Sequence, residues 1–320
     1  MKVSVVIPTF NRAAFIAEAV RSVLAQTFQD FEILVVDDGS TDETAQIVQA
    51  IGDPRVLYFW QTHRGVSAAL NTGWRAARGE YIARLDSDDI WLPQLLQELV
   101  GALEADPTRG AAYARAQGMD AQGNLLPQLL GARERFAGET LKSLVYGDFI
   151  CPMAVVIRRA ALEAVGGYDE SLIANEDWDV WIRIAQRFGI AYVPRVLAHY
   201  RFHAQNLTRS ASARMEQVMQ DRVRVLDKFF AQTRIPASAL DIKPQAYRNL
   251  YLDWMIRYLE RRDVRSAWRM FWRALGYAPS RAQCIPRAAA LTVYYLFLSK
   301  TRWGVRLTEW FVARRRAGMA

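Results

Sequence analysis

Three acidic clusters and one histidine carry the chemistry that can be read most directly from this 320-residue chain. The first, Asp37-Asp38-Gly39-Ser40, follows the strand-like segment from Phe31 to Val36. Carboxylates leaving a strand beside a glycine, which lets another backbone approach, can accept hydrogen bonds from a ligand's N–H or hydroxyl groups. The same four residues also make an ordinary turn in which Ser40 caps the next helix. The second cluster, Asp86-Ser87-Asp88-Asp89, follows Leu85. Alternate carboxylates there can converge on one hard cation, Mg2+ or Mn2+, of the kind that bridges substrate phosphates. The plainer alternative is an acidic turn ahead of a helix beginning at Pro93. The third cluster is Asn175-Glu176-Asp177-Trp178-Asp179. A helix dipole accounts for one or two acids at that position, and one of them can also serve as a general base. His203 is one of three histidines; a neutral imidazole can complete a metal's coordination or contact phosphate, but a lone histidine is more often structural. His63 and His199 carry no comparable argument.

The elements that position these groups follow from hydrophobic spacing. Val3 to Ile7 is a continuous apolar run, and Phe15, Ile16, Ala19, Val20, Val23 and Leu24 then recur at helical spacing. Phe31 to Val36 repeats the strand signal, and Ser40-Thr41-Asp42-Glu43 has the form of a capping box opening a helix toward Ile51. A third strand over 56–60, a third helix over 66–77 and a fourth strand over 81–85 complete a β-α alternation. Such units imply a mainly parallel sheet covered on both faces, with the loops at the strands' carboxyl ends gathered along one edge. Beyond a helix over 93–105 the pattern turns mixed, with candidate strands at 111–116, 154–157, 190–193 and 197–202. From about Ser210 the reading is helical to the end, broken near Pro236, Pro244, Pro279 and Pro286.

Taken in order, Val5 to Arg12, Val35 to Asp42, Leu85-Asp86-Ser87-Asp88-Asp89 and Glu176-Asp177-Trp178 resemble the motifs of the family 2 glycosyltransferases. The resemblance covers roughly the first two-thirds of the chain. It implies an α/β architecture, the GT-A nucleotide-sugar-binding fold with a mixed, mainly parallel central sheet, over residues 1–205, followed by a basic helical region over 206–320. It also implies that Pro8, Thr9 and Phe10 border a nucleobase whose ring N–H is accepted by Asp38. Asp86 would lie near the ribose and metal, Asp88 would ligate Mn2+ or Mg2+, and His203 would approach the metal or diphosphate. Asp177 matches the family's catalytic base, with Glu176 and Trp178 shaping the acceptor site. Trp178 and Trp181 would offer an apolar platform to a sugar ring. Where many relatives have Ala-Arg-Asn this chain has Ala69-Leu70-Asn71, so a cation near the donor must come from elsewhere, with Arg64 and Arg201 as candidates. The implied reaction is metal-dependent and inverting, from a nucleoside-diphosphate sugar, with UDP as the expected nucleotide, to an acceptor hydroxyl. Cell-envelope polysaccharide or glycolipid synthesis is the expected setting.

Charge separates the two regions. Residues 1–205 hold 19 Lys and Arg against 25 Asp and Glu, whereas residues 206–320 hold 22 against 8. Arg257, Arg261, Arg265, Arg269 and Arg273 repeat every four residues among five tryptophans, as a helical stripe suited to an anionic membrane surface or simply to a solvated helical cap. The apolar run from Ala288 to Leu298 is too short to span a bilayer, which needs about 20 residues. Two distant cysteines and no secretory leader point to a reducing cytoplasm, with peripheral attachment to the inner face of the cytoplasmic membrane as the location the tail fits. The partners expected are a nucleotide-sugar donor and a glycan or lipid-linked acceptor. Nucleic acid ranks last because no recognised binding module is present. Two competing functions are a nucleotidyltransferase, which would want a Gly-rich, Lys-containing phosphate loop after the first strand, and a noncatalytic nucleotide-sugar-binding or membrane-adaptor protein.

Overall fold

The computed structural model of the protein describes residues 1–132, 136, 138–203, 206 and 212–278, with side chains from residue 216 onward in the last segment. The chain divides into two compact units, Met1–Glu134 with Asp148–Asp221, and Arg135–Gly147 with Arg222–Ala320. Pro279, Pro286, Cys284, the run from Ala288 to Leu298 and the tryptophans at 303 and 310 lie outside the described residues.

The first unit is a mixed α/β layer structure. Its strands are β1 (Val3–Thr9), β2 (Phe31–Asp37), β3 (Val56–Trp60), β4 (Tyr81–Arg84), β5 (Ile90–Trp91), β6 (Arg109–Met119), β7 (Leu125–Leu130), β8 (Val155–Arg158) and β9 (Gly189–Arg201). They form one sheet in the order β3-β2-β1-β4-β8-β6-β9-β5, with β7 paired to β6. The parallel ladders join β1 with β2 and β4, β2 with β3, and β6 with β9. The antiparallel pairs bring in β8, β7 and β5. Every residue of β1 and β2 is buried, as expected of central strands covered on both faces.

The helices of this unit are α1 (Ile16–Leu24), α2 (Thr44–Gln49), α3 (Val66–Ala76), α4 (Leu95–Glu104), α6 (Arg159–Ala164) and α7 (Glu176–Ala185), while α5 (Thr140–Tyr146) falls in the second unit. In α1 the residues Ile16, Ala19, Val20 and Val23 are buried, the i, i+3, i+4, i+7 face that the sequence displays. α3 approaches β1 so closely that a Cβ at Gly73 would lie 2.3 Å from a Val6 methyl. This glycine therefore sets the spacing between that helix and the sheet.

Several expected features take a different form. The capping box does not form: α2 begins at Thr44, without a side-chain cap. The Ser40 hydroxyl instead accepts from Asn11 N–H (2.8 Å), tying the turn after β2 to the turn after β1. The two candidate strands at 190–193 and 197–202 are one strand, β9, with a register irregularity against β6 around Pro194; an imino nitrogen that cannot donate is tolerated at such a bulge.

The second unit contains α5, the end of α8 (Ser212–Phe230), α9 (Ala237–Leu240), α10 (Lys243–Glu260) and α11 (Val264–Leu275). Tyr247, Leu250, Tyr251, Trp254 and Tyr258 of α10 are buried, as are Ala267, Met270, Phe271, Ala274 and Leu275 of α11. The arginine stripe is not carried by one helix. α10 stops at Glu260, Arg262 adopts a left-handed φ of 62°, and Asp263 caps α11 by accepting from Ser266 N–H. Arg257 therefore belongs to one helix and Arg265, Arg269 and Arg273 to the next, because the turn at 261–263 resets the helical phase. Among the described residues no helix is long and apolar enough to cross a membrane.

Candidate active site

The carboxyl ends of β1, β2 and β4 present the three motif loops. After β1 the chain turns at Asn11, whose φ of 52° lies in the left-handed region that asparagine tolerates better than most residues. Its Oδ1 accepts from Thr41 N–H at 2.9 Å, locking this turn to the loop after β2. Phe10 is left partly exposed and stacks on His63 with ring centroids 4.3 Å apart. Pro8 and Thr9 lie in β1; Thr9 is buried, and its hydroxyl has no partner.

After β2, Asp37 and Asp38 are held by the protein itself. Asp37 accepts from Ser40 N–H (2.7 Å) and Tyr58 O–H (2.7 Å). One oxygen of Asp38 accepts from Arg64 N–H (2.9 Å) and the Gln61 side chain (2.7 Å); the other accepts from Gly65 N–H (2.7 Å) and lies 2.8 Å from His63 Nδ1. Gly39 allows the loop to close, since at φ 86° any Cβ would sit 3.0 Å from His63 N. The His63 side chain is 59% exposed, so it is the partner of Asp38 that a ligand N–H can replace with least disturbance.

After β4 the acids are crowded together, and arginine side chains rather than backbone amides are their main partners. Arg84, buried at the end of β4, donates from Nε to Asp86 (2.9 Å) and from Nη1 to Glu176 at the start of α7 (2.9 Å). Burial pushes the Asp86 carboxyl up despite Arg84, and the Asp88 charge adds to the shift. Asp89 is raised further by burial and by Asp88 and Asp86; one of its oxygens accepts from Arg201 N–H (2.8 Å) and the other has no partner. One oxygen of Asp88 accepts from Arg12 Nε (3.2 Å) and faces His203 Nε2 at 2.9 Å. His203 in turn stacks on Phe15.

The N-terminus of α7 completes the site. Asn175, the residue before it, is left-handed (φ 62°), and Glu176 and Asp177 follow. Burial pushes Glu176 up to about 7, with Arg84 opposing the shift and Asp177 reinforcing it. Asp177 is partly exposed, and its charge bears on Asp86, Arg84 and Glu176. The tryptophans do not form a platform: Trp178 and Trp181 are 2% and 0% exposed, because the apolar face of α7 turns them into the core. Arg64 and Arg201 each have a partner within the protein. Arg64 pairs with Glu170 (2.6 Å), while Arg201 donates to Glu18 and to the Asp88 carbonyl. Leu70 is buried, so nothing cationic stands in for the arginine of relatives at that position.

Two cations in this site escaped the sequence reading. Arg12 was visible only as a motif residue, and the one local sign of Arg84 is a charge in the otherwise apolar strand from Tyr81 to Leu85. Among the described residues no three His, Cys, Asp or Glu side chains form a ready metal cage. Asp88 with His203 is a two-group donor set of oxygen and imidazole, which fits a divalent cation that takes its remaining ligands from phosphate and water.

Comparison with known proteins matches this geometry to a family. Residues 4–166 match Glycosyl transferase family 2. An uncharacterized glycosyltransferase of Nostoc sp. is 31% identical over 232 residues, 68% of this chain and 70% of that protein. Among solved structures, the mannosyltransferase PcManGT from Pyrobaculum calidifontis, in complex with GDP-Man and Mn2+, superposes with a TM-score of 0.63 over 96% of this chain and 83% of that one, at 23% identity. S. aureus TarS 1-349 in complex with UDP-GlcNAc gives a TM-score of 0.59 over 92% and 91% of the two chains at 20% identity. Of a longer TarS chain the match spans 49%. The buried parallel strands, the acids at their carboxyl ends and the family match together establish that the chain belongs to glycosyl transferase family 2, with the GT-A fold.

Proposed function

We propose that the protein is an inverting glycosyltransferase that moves a sugar from a UDP-sugar to a hydroxyl of an envelope glycan or lipid-linked acceptor. The observation that carries this reading is the Arg84 bridge, which ties the Asp86 loop to the N-terminus of α7 and so holds Asp177 beside the acids after β4. Phe10 with His63 offers the nucleobase an aromatic face, and Asp38 offers its ring N–H an acceptor. Pro8 and Thr9 border the same pocket, and Asp86 lies toward the ribose.

Asp177 removes the acceptor hydroxyl proton as that oxygen attacks the anomeric carbon. The bond from that carbon to the phosphate oxygen breaks on the opposite face, and the nucleoside diphosphate departs with the electron pair. Single displacement inverts the configuration. Arg84, through its bond to Glu176, fixes the first turn of α7 from which Asp177 projects, and Arg12 lies beside Asp88. Asp88 and His203 would hold Mn2+ or Mg2+, which when bound supplies Lewis-acid stabilisation of the diphosphate. Relatives point the same way only by analogy: the mannosyltransferase complex contains Mn2+ and a GDP-sugar, the TarS complex a UDP-sugar.

For the second unit, the exposed face of α11 supports attachment to an anionic membrane surface on the cytoplasmic side. Arg265, Arg269 and Arg273 are exposed on that helix, and Trp272 between them is 60% exposed.

Thermal stabilisation by a panel of sugar nucleotides, with and without Mn2+, identifies the donor, and NMR of the product reports the anomeric configuration. A single UDP-sugar is expected to stabilise the protein in a Mn2+-dependent manner and to give the inverted product. Retention of configuration, or turnover undiminished in both Asp88→Ala and Asp177→Asn, overturns the mechanism.

A further inference from the structure

The loop before the proposed base is held by a residue far from every motif. Asp221, in α8 and within the first unit, is fully buried. One of its oxygens accepts from two consecutive backbone donors, Ile173 N–H at 2.9 Å and Ala174 N–H at 3.1 Å. The other accepts from Gln217 Nε2 at 3.1 Å, one turn earlier in the same helix. The next loop residue, Asn175, donates from its side chain to the Val218 carbonyl at 3.2 Å. Three successive residues are thus fastened to a single turn of α8, and the third of them is the left-handed residue from which α7 starts.

We propose that Asp221 is a positioning residue for catalysis: by clamping the backbone at 173–174 it fixes the left-handed turn at Asn175 and so the direction in which Asp177 leaves α7. This rests on the reading of Asp177 as the base. The physical case is geometric. A non-glycine residue in the left-handed region is disfavoured, though asparagine less than most, and it persists where its surroundings over-determine it. Here the surroundings are two charge-assisted bonds from the preceding amides to Asp221 and one neutral bond from the Asn175 side chain to the Val218 carbonyl. Ile173, whose amide is clamped, is itself 55% exposed, so apolar packing of its side chain does not supply the restraint. Without the clamp the segment 173–175 loses its fixed path, and a proton acceptor displaced by about 1 Å loses up to about 100-fold in rate. The donor-binding groups at Phe10, Asp38 and Asp88 lie on other loops and are held by partners outside residues 173–175.

The test compares Asp221→Ala, Asp221→Asn and the wild type by three readouts: kcat, the affinity for the donor that the panel identifies, and amide hydrogen exchange at Ile173 and Ala174. For Asp221→Ala we expect kcat down roughly 10- to 100-fold. Donor affinity should stay within about twofold, and exchange at 173 and 174 should speed up locally while β1 and β2 stay protected. Asp221→Asn retains an acceptor oxygen and should recover most of kcat. Should Asp221→Ala fail to fold, Asn175→Ala and Asn175→Gly take its place: both remove the tie to Val218, but only glycine accepts the left-handed turn freely, so Ala should lose much more kcat than Gly. Unchanged kcat in folded Asp221→Ala, or a parallel loss of donor affinity and of global protection, overturns the inference. A wild type that transfers no sugar from any donor overturns the functional reading instead, so the two failures are distinct.

Discussion

The loops after β2 and after β4 both present aspartates at the same edge of one sheet, and they treat those charges in opposite ways. Asp37 and Asp38 are saturated: amides, an amide side chain, a phenol and an imidazole occupy their oxygens. The acids after β4 are underserved. Arg84 bridges Asp86 and Glu176 with Asp177 nearby, Asp89 keeps an unpartnered oxygen, and both Asp86 and Asp89 are pushed toward the neutral form. A saturated carboxylate is a rigid recognition element, whose position is set before any ligand arrives. A crowded acidic cluster stores unfavourable charge that a cation or a transferred proton relieves, so it is the part of the sheet edge suited to chemistry.

Mutations can break this contrast, and the largest effect belongs to the crowded side. Asp177→Asn is expected to lower kcat about 100- to 10,000-fold while donor affinity stays near wild type, as steady-state kinetics with calorimetric binding will show. Asp88→Ala should come next, with a loss of roughly 100- to 1,000-fold in transfer and disappearance of Mn2+-dependent thermal stabilisation by the donor. On the saturated side, Asp38→Ala orphans the amides of Arg64 and Gly65, at about 1–3 kcal/mol of stability for each buried group left unpaired. It should weaken donor binding about 10- to 100-fold and leave kcat at saturation within about threefold, the reverse of the Asp177→Asn pattern.

Smaller effects sharpen the same comparison. The Glu176 carboxyl titrates near 7 in the folded protein, above its usual range. A folded-state value raised in this way means that stability contributed by the neutral form is present at low pH and is lost as pH rises through about 7. Glu176→Gln removes that titration, so urea unfolding should show a flatter dependence between about pH 4.5 and pH 7.5, by about 1–3 kcal/mol relative to wild type. Smallest is Thr9→Val. The orphaned hydroxyl makes no bond within the protein, so stability should change by less than about 0.5 kcal/mol. A loss of donor affinity in that variant would identify the hydroxyl as a ligand contact.

The contrast between the two loops could not be read along the chain. Both motifs have the same look in sequence, acids and a small residue after an apolar run. What separates them is the origin of their partners. Asp38 is satisfied by the segment 61–65, more than twenty residues away, and Arg84 reaches Glu176 over ninety residues. The tryptophans of α7 failed as a platform for a related reason. Trp178 and Trp181 sit beside three acids in the chain, but α7 is buried on most of its circumference, Glu176 and Asp179 included, and both indoles are taken into the core. The arginine stripe likewise depended on an unbroken helix, and the turn at Arg262 interrupts it.

The sequence by itself determined the alternation of strands and helices through residue 105 and the placement of the acidic motifs at strand ends and at the start of α7. Hydrophobic period, turn residues and helix-terminal acids are local signals that survive without knowledge of the fold. The tertiary structure alone decided the order of the strands, the joining of β9 across Pro194, the bridge at Arg84, the saturation of Asp38 and the clamp of Asp221 on 173–174. Each of these is a contact between segments far apart in the chain, and it is the order of strands in the sheet and the packing of helices on it, not neighbouring residues, that bring such segments together.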